Sequence, residues 1–202
     1  MSPTHAMERS YTMLREMLRG GGIAPGARLD ANRLADEIGV SMTPVRDALN
    51  RLTGERLVDA SSGEGFHAQQ LGETELRHLY EWNSAILTMA VRTTPPAALA
   101  QAVDQVGQGD SVCDRTSASF DRIGHAVPNS ELRAAIHAST IRLHPFRIVE
   151  PEVLESDSEE LARLLVVDGG QALEIRRYHL RRLRAAGDIL RLVNARWSHN
   201  TL

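Results

Sequence analysis

Residues 34–52, LADEIGVSMTPVRDALNRL, constrain this chain more than any other stretch. Leu34, Ala35 and Ile38 have the i, i+1, i+4 spacing of a short amphipathic helix, and Gly39 stands where such a helix takes a left-handed cap. Ser41 and Thr43 are N-cap residue types. Pro44 is tolerated in a first helical turn, where its missing N–H would have no partner anyway. Val45, Ala48, Leu49 and Leu52 mark the inward face of a second helix. Two short helices joined by a turn containing Gly make a helix-turn-helix, whose second helix can lie in the DNA major groove. Its outward face would carry Met42, Thr43, Arg46, Asn50 and Arg51, mostly side chains that reach phosphates and base edges. The same spacing also suits a helical hairpin inside a bundle, so the flanks have to decide.

Upstream, residues 7–19 carry Tyr11, Leu14 and Leu18 on one helical stripe, stopped by Gly20, Gly21 and Gly22. A short extended piece around the Pro25-Gly26 turn leads to Asp30, a cap for the next helix. Downstream, residues 57–60 and 66–69 read as two short strands around a flexible turn at residues 61–65. Three helices followed by such a hairpin predict a winged helix-turn-helix over residues 1–70.

These marks, at this spacing, resemble the N-terminal domain of the GntR family of bacterial transcription regulators. The shared elements are Ile-x-Pro-Gly-x-x-Leu, Leu-Ala-x-x-Ile-Gly-Val-Ser, Thr-Pro-Val-Arg-x-Ala-Leu-x-x-Leu and a Gly-x-Gly wing. The resemblance implies that Ser41, Thr43 and Arg46 meet an operator and that Gly65 lies in or near the minor groove. Met42 belongs to the same face, and Arg33 and Arg51 would hold phosphates unless they are spent in surface salt bridges. The chain departs from the pattern in three places. Met42 stands where the family usually has Arg, Glu64 is acidic at the tip of the wing, and Arg56 replaces the Gly that usually follows the recognition helix. A non-Gly residue in a left-handed cap costs on the order of 1 kcal/mol.

The rest, residues 71–202, reads as helices separated by Pro95-Pro96, Gly107 to Gly109, Val127 to Ser130, His144-Pro145 and Asp168 to Gly170. No strand-period run of any length appears, so the expected fold is mainly α, a winged helix-turn-helix followed by an all-α bundle. This order resembles the FCD effector domain of the FadR subfamily, through Leu79-Tyr80-Glu81, Asp121-x-x-x-His125, Asn129-x-x-Leu132 and Asp168 eleven residues before His179. Asp121 and His125, four apart, share one helix face and could reach one divalent cation. The subfamily often binds a metal through an Asp and three His. The resemblance implies Asp121, His125 and His179 as ligands, with Asp157 where the remaining His would fall. Two readings stay open: a two-Asp, two-His site for zinc, manganese or nickel, or a site without metal that takes an effector directly. His137 and His144, seven apart, could share a face and supply a replacement ligand, but read more readily as surface or packing residues, and the arginines of residues 176–184 read mostly as a solvated face.

Composition narrows the class. A net charge of −3 gives no support for broad, non-specific DNA binding, and every basic side chain apart from His is Arg. A single cysteine, Cys113, leaves no intrachain disulfide and no zinc-cysteine framework. No apolar run suits a membrane span or a signal peptide, so a cytoplasmic location is expected. The expectation is a homodimeric regulator, not an enzyme, whose operator affinity responds to a small carboxylate; repression relieved by effector is the family's commoner habit. Its rivals are a regulator with a decayed effector site and a metalloenzyme built on the bundle.

Overall fold

The computed structural model describes residues 3–61, 63–104, 111–154 and 158–198. The chain divides into two compact units, one over the first 71 residues and one over Gly72–Ser198.

The first unit runs α1 (Pro3–Arg19), β1 (Arg28–Leu29), α2 (Ala31–Ile38), α3 (Met42–Gly54), β2 (Val58–Ser61) and β3 (Gly65–Ala68). Tyr11, Leu14 and Leu18 of α1 are buried, as are Val45, Ala48, Leu49 and Leu52 of α3, so the two inward stripes form the core of the unit. Asp30 caps α2 by accepting the Asn32 and Arg33 backbone N–H groups. Gly39 ends that helix in the left-handed region at φ 73°. The strands form one antiparallel sheet in the order β1-β3-β2. The extended piece before α2 is thus a third strand, pairing Arg28 with His67 and Leu29 with Phe66.

The end of α3 carries a strained residue. Arg56 sits at φ 58°, the one described non-Gly residue with positive φ. Its N–H donates to Thr53 O, and the Leu57 N–H donates to Leu52 O. Those two bonds are a Schellman cap, which normally places Gly at the left-handed position. Buried Leu52 and Leu57 supply the accompanying apolar contact.

The second unit is helical: α4 (Glu73–Thr93), α5 (Pro96–Asp104), α6 (Val112–Ala126), α7 (Ser130–Arg147), α8 (Glu150–Leu154), α9 (Ser158–Leu165) and α10 (Gln171–Ser198). The stripe expected on α4, Leu76, Leu79, Tyr80, Ile86, Leu87 and Ala90, is buried. Its core also takes Leu99, Phe120, Ile123, Ile136, Leu161, Leu164 and Ile175. Gly124 lets α6 and α7 approach closely, since a Cβ there would meet Ile136 Cγ2 at 3.1 Å.

The break expected at His144-Pro145 does not occur. Helix α6 begins at Val112, where Ser111 accepts the Asp114 N–H and caps it. Helix α7 passes through Pro145, held by buried Leu143, Phe146 and Val149. Arg147 folds back to donate to Thr140 O. Helix α10 continues through Gly187, where a Cβ would come within 2.9 Å of Glu73 Oε2. No helix among the described residues is long and apolar enough to cross a membrane.

Candidate nucleic-acid interface and the interior of the helical unit

Ser41 occupies the N-cap of α3 with φ −75° and ψ 165°, yet its side chain makes no capping bond. Its exposed hydroxyl is therefore available to another acceptor or donor. Thr43 lies inside the first turn rather than at the cap, also exposed. Arg46 and Asn50 follow on the same outward face. Neither side chain makes a hydrogen bond or ion pair among the described residues, which leaves both groups able to read base edges. Together with half-buried Met42 they line a cleft of about 400 Å³ whose other wall includes Arg28, Asn32 and Gly65. Arg28 and Asn32 were not expected there; the signal was the pairing of a β1 residue with the wing strand. Gly63 and Gly65 bend the wing at φ 91° and 85°, conformations Gly adopts without penalty.

The remaining two expected contacts are engaged elsewhere. Arg33 forms an exposed ion pair with Glu37 at 3.3 Å, a pairing in high dielectric that is readily exchanged. Arg51 is more firmly held. It reaches Glu8 at 2.9 Å and Glu55 at 3.6 Å, and its guanidinium lies 3.8 Å from the Tyr11 ring centre. Tyr11 in turn donates to Glu55 at 2.8 Å. Burial, and then the hydrogen bond to Glu55, push the Tyr11 hydroxyl above its ordinary pKa. Arg51 thus braces α1 against α3, the salt-bridge alternative to a phosphate contact.

In the helical unit the structure does not gather the expected metal ligands. Helix α6 turns Ser117, Phe120 and Ile123 inward, which leaves Asp121 half-buried and His125 exposed beside an open cleft of about 650 Å³. His125 Nδ1 is bonded to the Asp121 main-chain carbonyl at 2.7 Å. The Asp121 carboxylate meets His137 Nδ1 at 3.1 Å instead. His179 is sealed in the interior, with Nδ1 on Ile175 O at 2.7 Å and Nε2 on Asn83 Oδ1 at 2.9 Å. Both its nitrogens are occupied, so neither is left for an ion. Burial, reinforced by Arg147 and Arg182, pushes its pKa down to about 3, so the ring is neutral near pH 7. Asp157 lies outside the described residues. Among the described residues, Asp121, His125 and His179 do not converge on one point.

What the interior holds is a polar cluster around two buried arginines. Arg182 was expected on the solvated face of α10, but it is 2 % exposed because it shares the inward face with Ile175, Tyr178, Ala186 and Ile189. It bonds Glu150 Oε2 at 2.8 Å and Glu160 Oε2 at 2.9 Å. Burial works against its charge, and the glutamates, Glu150 first, more than offset this, raising its pKa. Tyr80 and Tyr178 complete the shell by donating to Glu150 at 2.7 and 3.2 Å.

Arg147, 1 % exposed, has no such counter-charge among the described residues. It donates to Ser117 Oγ and Thr140 O, both at 3.2 Å, and to Asn83 Oδ1 at 3.3 Å, all neutral acceptors. Its Cζ lies 4.9 Å from the Phe120 ring centre, and among the described residues its Nε and Thr140 Oγ1 have no hydrogen-bond partner. Sequence reading missed it because one arginine beside a proline at a helix end looks like a solvated cap.

A winged helix-turn-helix followed by a helical bundle is the class these units define. Residues 7–68, most of the N-terminal unit, match the family model described as bacterial regulatory proteins, gntR family. The chain is 33% identical over 92 residues to the HTH-type transcriptional regulator McbR of Escherichia coli, and the match spans 44% of this chain and 42% of that protein. It is 41% identical over 68 residues to the Nta operon transcriptional regulator of Aminobacter aminovorans, spanning 34% of this chain and 32% of the relative. The matched stretches thus cover less than half of either relative. At the level of fold, the solved structure of E. coli McbR/YncC superposes over 95% of this chain and 98% of its own, with a TM-score of 0.64 and 21% identity. A GntR regulator structure from Rhodococcus gives a TM-score of 0.62 at 18% identity, covering 93% of this chain and 96% of its own.

Proposed function

We propose that this chain is a DNA-binding transcription regulator that works as a homodimer and responds to a small anionic effector. The observation that carries the reading is the outward face of α3, where Ser41, Thr43, Arg46 and Asn50 are exposed beside the wing while the inward face is fully packed. Arg46 has the reach to pair with guanine, and Asn50 with adenine. Two copies related by two-fold symmetry would read a short pseudo-palindrome. Exposed Trp82 and Met89, seven apart on α4, and Leu173 and Leu180, seven apart on α10, supply apolar faces that a second copy would cover.

The effector reading rests on Arg147. A buried ion without a partner costs several kcal/mol, and an anion supplied from outside removes that cost. A carboxylate or phosphate between Arg147 and Thr140 would supply the missing charge and the missing hydrogen bonds. If the occupied bundle favours a dimer geometry that fits the operator less well, repression is relieved through differential affinity for two states. The test is selection of duplexes from a randomised pool by the purified protein. An enriched two-fold-symmetric motif is expected, and a pool that stays random after several rounds contradicts the reading.

A further inference from the structure

We infer that Cys113, Asp114 and His144 form a binding site for a divalent transition-metal ion that ties the first turn of α6 to the end of α7. One ligand atom from each side chain lies within 4.8 Å of the other two. His144 Nε2 stands 3.5 Å from Asp114 Oδ1. Two ligands about 2.1 Å from a tetrahedral ion are themselves about 3.4 Å apart, so this pair already has the spacing a metal requires. The sulfur reaches the third corner by a shift of roughly 1.2 Å or less, given a metal–sulfur bond of about 2.3 Å.

The surroundings orient the ligands. His144 is 3 % exposed, and its Nδ1 lies 2.8 Å from Ser117 Oγ, which fixes the ring with Nε2 toward Asp114. Metal-bound histidines are held in the same way, by an outer partner on the second nitrogen. Ser111 Oγ donates to Asp114 Oδ2 at 2.6 Å and lies 2.9 Å from Cys113 Sγ, so it steadies the carboxylate oxygen that faces away from His144. Cys113 and Asp114 are half-buried, which leaves a way in from solvent. One sulfur, one nitrogen and one oxygen suit zinc, cobalt or nickel rather than calcium or magnesium. Three protein ligands leave one tetrahedral position for water or an exogenous anion. On binding, the Cys113 thiol gives its proton to solvent and ligates as thiolate. These residues are separate from Asp121, His125 and His179, and the inference does not depend on the operator reading.

The test uses the full chain, reduced and metal-free, titrated with cobalt(II) and followed by absorption. Cys113 is the only cysteine, so a sulfur-to-cobalt charge-transfer band has a single origin. Saturation at one cobalt per chain is expected, with tetrahedral ligand-field bands and displacement by zinc. Cys113→Ser should abolish the charge-transfer band, Asp114→Asn should weaken binding by about tenfold or more, and His125→Ala should change neither. Circular dichroism shows whether each variant is folded, and the two ligand substitutions are at half-buried positions chosen to keep it so. Absence of the band in the wild-type chain overturns the inference. So does cobalt binding that survives Cys113→Ser unchanged or disappears in folded His125→Ala.

Discussion

Replacing Arg147 by Met separates a buried cation awaiting an anion from one neutralised inside the fold. In the ligand-free protein the substitution removes an uncompensated charge, whose burial costs several kcal/mol. It also forfeits three hydrogen bonds of 3.2 to 3.3 Å to neutral acceptors. Such bonds contribute roughly 1.5–3 kcal/mol each at best, and less at this length, so the two effects nearly cancel. The expected change in stability is within about 2 kcal/mol either way. Arg182→Met is the contrast: it strands Glu150 and Glu160 and should cost about 3–5 kcal/mol. The assay is scanning calorimetry with a panel of small carboxylates and inorganic phosphate. A fitting anion at about a hundred times its Kd stabilises the wild-type chain by about 2.7 kcal/mol. For a chain of this size that raises Tm by roughly 5–10 °C. Arg147→Met should show no such rise. The reasoning fails if Arg147→Met destabilises the free protein as much as Arg182→Met, or if the same anions raise Tm equally in both proteins.

Three further outcomes follow from the geometry. Arg56→Gly should stabilise the first unit by about 1 kcal/mol in urea denaturation, because the left-handed φ of 58° no longer opposes a Cβ. Glu64→Arg at the wing tip should tighten DNA binding at low salt and steepen the dependence of log K on log salt by about one, measured by fluorescence anisotropy. Trp82→Arg combined with Met89→Arg should convert a dimer to a monomer in sedimentation velocity while leaving the helical content unchanged.

The first unit was largely legible because its determinants are local. Caps, Gly turns and the apolar stripes of α1 and α3 each announce themselves within a few residues, and the strain at Arg56 could be anticipated from the residue type alone. The third strand was the exception, since two residues of β1 acquire their identity only from pairing with β3. In the second unit the helices were visible, but the interior was not. Asp121 and His125 do share a helix face, as their spacing requires, but which face turns inward is decided by Ser117, Phe120 and Ile123 packing against other helices. Arg182 could have been placed from its spacing of three, four and seven residues to His179, Tyr178, Ala186 and Ile175. Arg147 could not, because Asn83 and Ser117 come to it from two other helices, α4 and α6. The Cys113–Asp114–His144 cluster likewise joins residues thirty apart, and only the α6–α7 packing brings them together.

The most direct test of the account is an anisotropy titration of the selected duplex with wild-type, Arg46→Ala and Arg51→Ala proteins, at fixed salt. Arg46 is exposed on the outward face of α3, whereas Arg51 is held by Glu8 and Tyr11. Arg46→Ala should therefore lose about 1–3 kcal/mol of affinity and relax preference at one base pair per half-site, while Arg51→Ala, at equal folded fraction, stays close to wild type. Equal affinity for wild-type and Arg46→Ala proteins would contradict the claim that the outward face of α3 reads the operator.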